Sequence, residues 1–124
     1  MSASLYERLG KTEGIRSIVN TALEAHLANP VVQKRYEPGA RDPEHWNRVT
    51  QHAVDFFVAG AGGPANYTGK SMIEAHTGMN ISATEFVAVV DDILGALGKH
   101  EVDESTQKDV LAILYSLKPQ IVRL

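Results

Sequence analysis

The strongest constraint on this chain is that its apolar residues return at helical spacing in one segment after another. No segment alternates at the period of two that a sheet needs. Ile15, Ile18, Val19, Ala22 and Leu23 fall on one helical face, as do Phe86, Val90, Ile93, Leu94 and Leu97, and then Val110, Ile113, Leu114 and Leu117. The punctuation agrees with the periodicity. Ser4-Leu5-Tyr6-Glu7 and Ser82 to Glu85 have the form of capping boxes, in which a serine and a glutamate three residues on satisfy free amides at a helix start. The first of these opens a short helix that stops at Gly10, and Thr12 is placed to cap the next. Asp42-Pro43 sets an N-cap before a proline at the first helical position, opening a long helix to about Gly60. Asp103 opens the last helix, and Pro119 closes it. Asn29-Pro30 and Ala61-Gly62-Gly63-Pro64 end two others. Val31 to Arg41, with Pro38-Gly39 inside it, reads as a short turn followed by a loop. The expectation is an all-α chain in which residues 1–124 form a single domain.

Composition removes several classes of function. With 44% hydrophobic residues the chain can bury a core, yet no apolar run reaches the roughly 20 residues of a membrane helix. It has no cysteine, which removes disulfides, thiolate zinc sites, iron–sulfur clusters and cysteine nucleophiles together. A formal charge of −3 with scattered basic residues offers phosphate no general attraction, so neither nucleic acid nor a membrane is expected as a partner. The opening MSASLYERLG lacks the basic-then-apolar layout of a secretory signal, and a cytoplasmic location is expected.

Five histidines are the unusual feature. His76 stands at the end of a short helical candidate, about Lys70 to His76, inside a glycine-rich stretch from Gly63 to Ile81. Irregular stretches of this length in a compact domain usually carry function. From position alone, His76 is either a ligand or a side chain that only complements a helix dipole. On the long helix, taking about 100° per residue, His45 and His52 lie about 40° and 60° to the same side of Val49. Both therefore border its apolar face, His45 in the first turn and His52 in the middle. His26 and His100 read as surface residues.

These residues carry a resemblance. Leu5-Tyr6-Glu7-Arg8-Leu9-Gly10 resembles the opening of the truncated haemoglobins. Gly62-Gly63-Pro64-Ala65-Asn66-Tyr67-Thr68-Gly69, followed by Met72 and Ala75-His76, resembles the most characteristic block of their first group. The resemblance covers nearly the whole chain. It implies a truncated globin-like two-over-two helical sandwich enclosing non-covalent haem b, with His76 as the proximal iron ligand. The covalent attachment that some relatives make is not expected, since the last helix has no histidine and there is no Cys-x-x-Cys-His motif.

The other side of the pocket departs from the family pattern. Its usual oxygen-binding members cage the ligand with a tyrosine and glutamines; the matching positions here are Leu23, Val49 and Ala53, which offer no donor. A neighbouring phenylalanine is matched by Ala22, a phenylalanine that packs on the haem by Tyr36, and a glycine pair by Gly10-Lys11. His52 matches the position from which some first-group members bind the sixth coordination site. The alternative is a solvent-facing His52 at the pocket rim. Arg48 matches a cation offered to a haem propionate, or is a solvated surface arginine. Tyr36, Phe56, Phe57, Tyr67, Met72 and Phe86 line the haem, or are ordinary core.

The resemblance implies binding of the diatomic gases O₂, NO and CO, with His52 as a displaceable internal ligand. Nitric oxide dioxygenation or weak peroxidation would need a reductase partner. The competing readings are a six-coordinate electron-transfer or redox- or gas-sensing protein, and a globin that has lost haem and acts through helix contacts. A monomer or weak dimer is expected.

Overall fold

The computed structural model describes residues 3–124. Seven α-helices follow one another: α1 Leu5–Arg8, α2 Lys11–Ala28, α3 Gln33–Ala40, α4 Pro43–Gly60, α5 Met72–His76, α6 Ala83–Lys99 and α7 Glu104–Ser116. A 3₁₀ turn over Lys118–Gln120 contains Pro119. The described residues include no strand, only an isolated bridge between Ile81 and Val122. No helix among them is long and apolar enough to cross a membrane.

Helix starts are held by local chemistry. Ser4 and Glu7, and Ser82 and Glu85, form the two expected capping boxes, each with a glutamate amide 3.1 Å from a serine hydroxyl. A third box, Ser71 with Glu74, starts α5 at Met72, two residues later than its sequence reading. Asp42 accepts from the amides of Glu44 and His45 ahead of Pro43. Thr12 does not cap α2. Gly10 holds that place in a left-handed conformation (φ 91°), and the Thr12 hydroxyl pairs with Tyr6 Oη at 2.8 Å.

The helices stack as a two-over-two sandwich. α2 packs against both α4 and α6, and α6 against α7. The α2 face Ile15, Ile18, Val19, Ala22 and Leu23 is buried as its spacing requires, against Val54 and Val58 of α4 and Val90, Ile93 and Leu97 of α6. Each fully buried side chain of this size stabilises the fold by about 1.5–3 kcal/mol. On α7, Val110 and Leu114 face inward, but Ile113 is 38% exposed and Leu117 only half buried. The inward stripe of α7 is narrower than its run of apolar residues suggests. It begins instead with Thr106, which is fully buried, donates to Asp103 Oδ1 at 2.6 Å and accepts from Arg8.

The segment expected as turn and loop contains α3, with Pro38 inside it. Proline there removes an amide donor and disfavours a helical residue before it. Long-range contacts outweigh this cost. Tyr36 packs against the core, and the Arg35 guanidinium forks onto Glu85 at 2.6 and 3.0 Å while donating to the Met79 carbonyl at 2.9 Å. That hydrogen-bonded fork is the main cause holding the Glu85 carboxyl down from 4.5 to about 2. A folded-state value below the unfolded one means the stabilisation is complete above pH 4.5 and is lost as pH falls towards about 2. Glu85→Gln is expected to cost about 1 kcal/mol at neutral pH. Its stability should also depend less on pH than the parent's across that acid window, as followed by denaturant unfolding at stepped pH.

Gly63 shows why the α4 terminus turns where it does. A Cβ there would run into the Tyr6 ring and lie 2.8 Å from Val58 Cγ1. The chain passes this close because the Tyr6 amide donates to the Ala61 carbonyl at 3.1 Å and the Gly63 amide to Val58 at 2.8 Å. Gly63→Ala is expected to destabilise by about 1–3 kcal/mol through overpacking, seen as a lower urea midpoint with an unchanged slope.

Candidate functional site

A cavity of about 340 Å³ lies inside the sandwich, walled by α2, α3, α4, α6 and α7 and by the segment that carries α5. Leu23, Tyr36, Val49, Ala53, Phe57, Tyr67 and Met72 all line it, as do His52 and His76. Phe86 lines an adjoining cavity of about 210 Å³, which shares His76 and Tyr36 with the first. Arg48 is exposed on α4 and lies outside both linings.

The His76 side chain is chemically specified by its own short helix. The Ser71–Glu74 box sets the start of α5, so that one turn later His76 Nδ1 reaches the Met72 carbonyl at 2.7 Å. A carbonyl only accepts, so Nδ1 carries the hydrogen and Nε2 is the nitrogen left to bind a metal. That is the arrangement a metal-binding imidazole needs, with its second nitrogen oriented by a hydrogen bond.

His52 is exposed at the cavity edge on α4. Its ring meets Tyr67 edge-on, with centroids 6.1 Å apart, and Phe56 meets the same tyrosine at 5.4 Å. Tyr67 is itself held by its hydroxyl, which donates to the Lys70 carbonyl at 2.6 Å. Burial raises the Tyr67 phenol above its ordinary value, so it stays protonated at neutral pH. The loop before α5 is thus braced against the helix that carries His52.

His26 overturns its reading as a surface residue. It is 4% exposed, lines the main cavity, and places Nδ1 2.8 Å from Asp92 Oδ2 on α6. Tyr36 stacks on the imidazole with centroids 4.8 Å apart. Burial lowers the His26 pKa against the opposing pull of Asp92, and burial with the Asp92 charge pushes Tyr36 up to about 12. Both groups are therefore uncharged at neutral pH. A signal was present: His26 continues the α2 stripe four residues after Ala22 and three after Leu23. His100, by contrast, is exposed as expected.

The donor set limits what the cavity can hold. No group of three or more histidine, aspartate or glutamate side chains able to grip a bare metal ion occurs among the described residues. Three imidazoles line this largely apolar cavity, and two of them, His52 and His76, would suit a metal that brings its own ligands in a flat macrocycle.

Comparison with known proteins places the chain among relatives. The bacterial-like globin family matches residues 4–123. The group 1 truncated hemoglobin GlbN of Mycolicibacterium paratuberculosis is 30% identical over 119 residues, which cover 96% of this chain and 84% of that protein. The Fe(III) crystal structure of truncated hemoglobin from Tetrahymena pyriformis superposes with a TM-score of 0.89 at 23% identity, covering 98% of this chain and 100% of that one. The 2/2 hemoglobin of Synechococcus, whose heme is covalently attached, superposes at 0.82 with 24% identity, covering 95% of each chain.

Proposed function

Because this chain belongs to the bacterial-like globin family, among its group 1 truncated haemoglobins, we propose that it closes its haem iron with two of its own histidines, His76 and His52. Membership assigns it haem, held non-covalently, and the binding of diatomic gases. Haem would supply an iron able to bind imidazole nitrogen and small gases. The cavity fits that group: its wall is apolar and aromatic, and it is bordered by an imidazole from α4 and another from α5.

His76 is the proximal ligand in this reading. The carrying observation is its hydrogen bond to the Met72 carbonyl, which fixes the tautomer and leaves Nε2 as the basic nitrogen of a side chain that lines the cavity. Tyr36, Phe57, Tyr67 and Met72 pack against the macrocycle, with Phe86 beside the adjoining space. Leu23, Val49 and Ala53 form the distal wall and present no donor to a bound gas. With haem bound, His52 would supply the second imidazole to the iron, and a gas would have to displace it. Apparent affinity is then reduced by the fraction of time the site is open. Arg48, free at the surface of α4, offers a cation to a propionate.

The absorption spectrum tests this reading. Sharp low-spin bands in the ferric and deoxy ferrous protein, replaced by high-spin bands in His52→Ala, are expected. A high-spin ferric spectrum at neutral pH that His52→Ala leaves unaltered would defeat the paired ligation. The donor-free wall also supports a second reading, in which both histidines stay bound and the protein transfers electrons or senses redox state. Complete failure to bind CO would favour that one.

A further inference from the structure

His26 is the one titratable side chain buried among the described residues, and the proposed ligation does not use it. Its Nδ1 sits 2.8 Å from Asp92 Oδ2. An ionised carboxylate only accepts, so Nδ1 carries the hydrogen and the lone pair is on Nε2. Asn29 Nδ2 donates to both Asp92 oxygens, at 3.2 and 3.1 Å, and so holds the carboxylate in place. Asp92 takes no part in the cavity lining, whereas His26 does. Nε2 makes no hydrogen bond among the described residues, and it is not one of their sealed polar atoms, none of which lacks a partner; it borders the open cavity that His26 lines. The ring edge away from Asp92 therefore gives a largely apolar chamber one basic nitrogen that the proposed iron ligation leaves unused.

We propose that His26 accepts a proton from small weak acids entering the haem cavity, with Asp92 as its positioning residue. The substrate class is a neutral H–X molecule such as hydrogen peroxide, hydrogen sulfide or hydrogen cyanide. Its H–X bond breaks with the electron pair left on X, and an Nε2–H bond forms. Imidazolium then faces X⁻ across the cavity while the Asp92 carboxylate stabilises the new cation. The chamber gains no net charge, which lowers the cost of forming an anion against apolar walls. A diatomic gas has no proton to give and gains nothing from His26.

The groups around His26 suit this role. Asp92 faces it from α6 and the protonated Tyr36 from α3, while His52 of α4 and His76 of α5 share the cavity. Burial keeps His26 neutral, and so ready to accept, at neutral pH.

The inference rests on the haem reading, and its test is built so that the two can fail separately. Holoprotein carrying His52→Ala is used, so that release of that ligand limits no rate. Hydrogen cyanide association with the ferric form and CO association with the ferrous form are compared at neutral pH. His26→Leu is expected to slow the cyanide reaction at least about tenfold and to leave the CO rate unchanged. Asp92→Asn keeps an acceptor for Nδ1–H but removes the charge. It should slow cyanide by an intermediate factor, and it decides the matter if the leucine variant does not fold. In weakly buffered, mildly alkaline solution the parent should release less than one proton per cyanide bound, and His26→Leu a whole one. An unchanged cyanide rate, or equal slowing of cyanide and CO, would overturn the proposal in favour of a structural tie between α2 and α6. If His52→Ala leaves the spectrum unaltered, paired ligation fails while the cyanide-to-CO comparison still decides the role of His26.

Discussion

Replacing His76 with alanine is expected to weaken haem binding by more than about 100-fold, beyond the loss typical when only an outer partner of a metal ligand is removed. The apolar cavity remains and still attracts a flat macrocycle, so binding falls without vanishing. What is lost is the bond from an imidazole whose Nδ1 hydrogen is already committed to the Met72 carbonyl. The helix itself should survive. α5 is held by Ser71 and Glu74 at its start, and His76 is only half buried at its end. Haem transfer to a scavenger protein measures the effect, with circular dichroism as the check on helix content. Added imidazole, entering the space left by the side chain, is expected to restore the parent spectrum in part. Haem retained as long as in the parent would remove His76 from the iron.

The second large effect concerns access. If His52 occupies the iron for about 90–99% of the time, a gas meets an open site for about 10–1% of it, and CO association is slowed by about 10–100-fold. His52→Ala should recover that factor. It should also abolish the rate plateau that an internal ligand imposes at high CO, because bond opening no longer precedes binding. His52 is exposed and braced against Tyr67, so its removal leaves the buried core untouched and a change in rate reports on the iron. Equal rates and no plateau in either protein would return His52 to the pocket rim. The effect should be independent of Glu85 and Gly63, which act on the docking of α3 and on the α4 terminus.

What the sequence determined by itself is what local interactions decide. Ser4 with Glu7, Ser82 with Glu85 and Asp42 before Pro43 act across three residues or fewer, so the helix starts could be read directly. Ser71 with Glu74 was equally readable and marks the true start of α5. The stripe from Ile15 to Leu23 follows from helical period alone, and the block from Gly62 to His76 placed the histidine in the chain. Tertiary structure decided the rest, because the deciding partners are far apart in sequence. A helix across Pro38 exists because Arg35 meets Glu85, fifty residues on, and no local rule predicts it. Ile113 is exposed because the inward stripe of α7 runs through Thr106, Val110 and Leu114, which pack on residues distant in sequence. His26 looked like a surface residue until folding brought Asp92 beside it, sixty-six positions away. A buried imidazole is stable only with such a partner, since desolvation otherwise opposes its polar nitrogens. Helical pattern placed each ring on its helix; only the packing of α2, α4, α5 and α6 around one cavity brought three imidazoles to the same space.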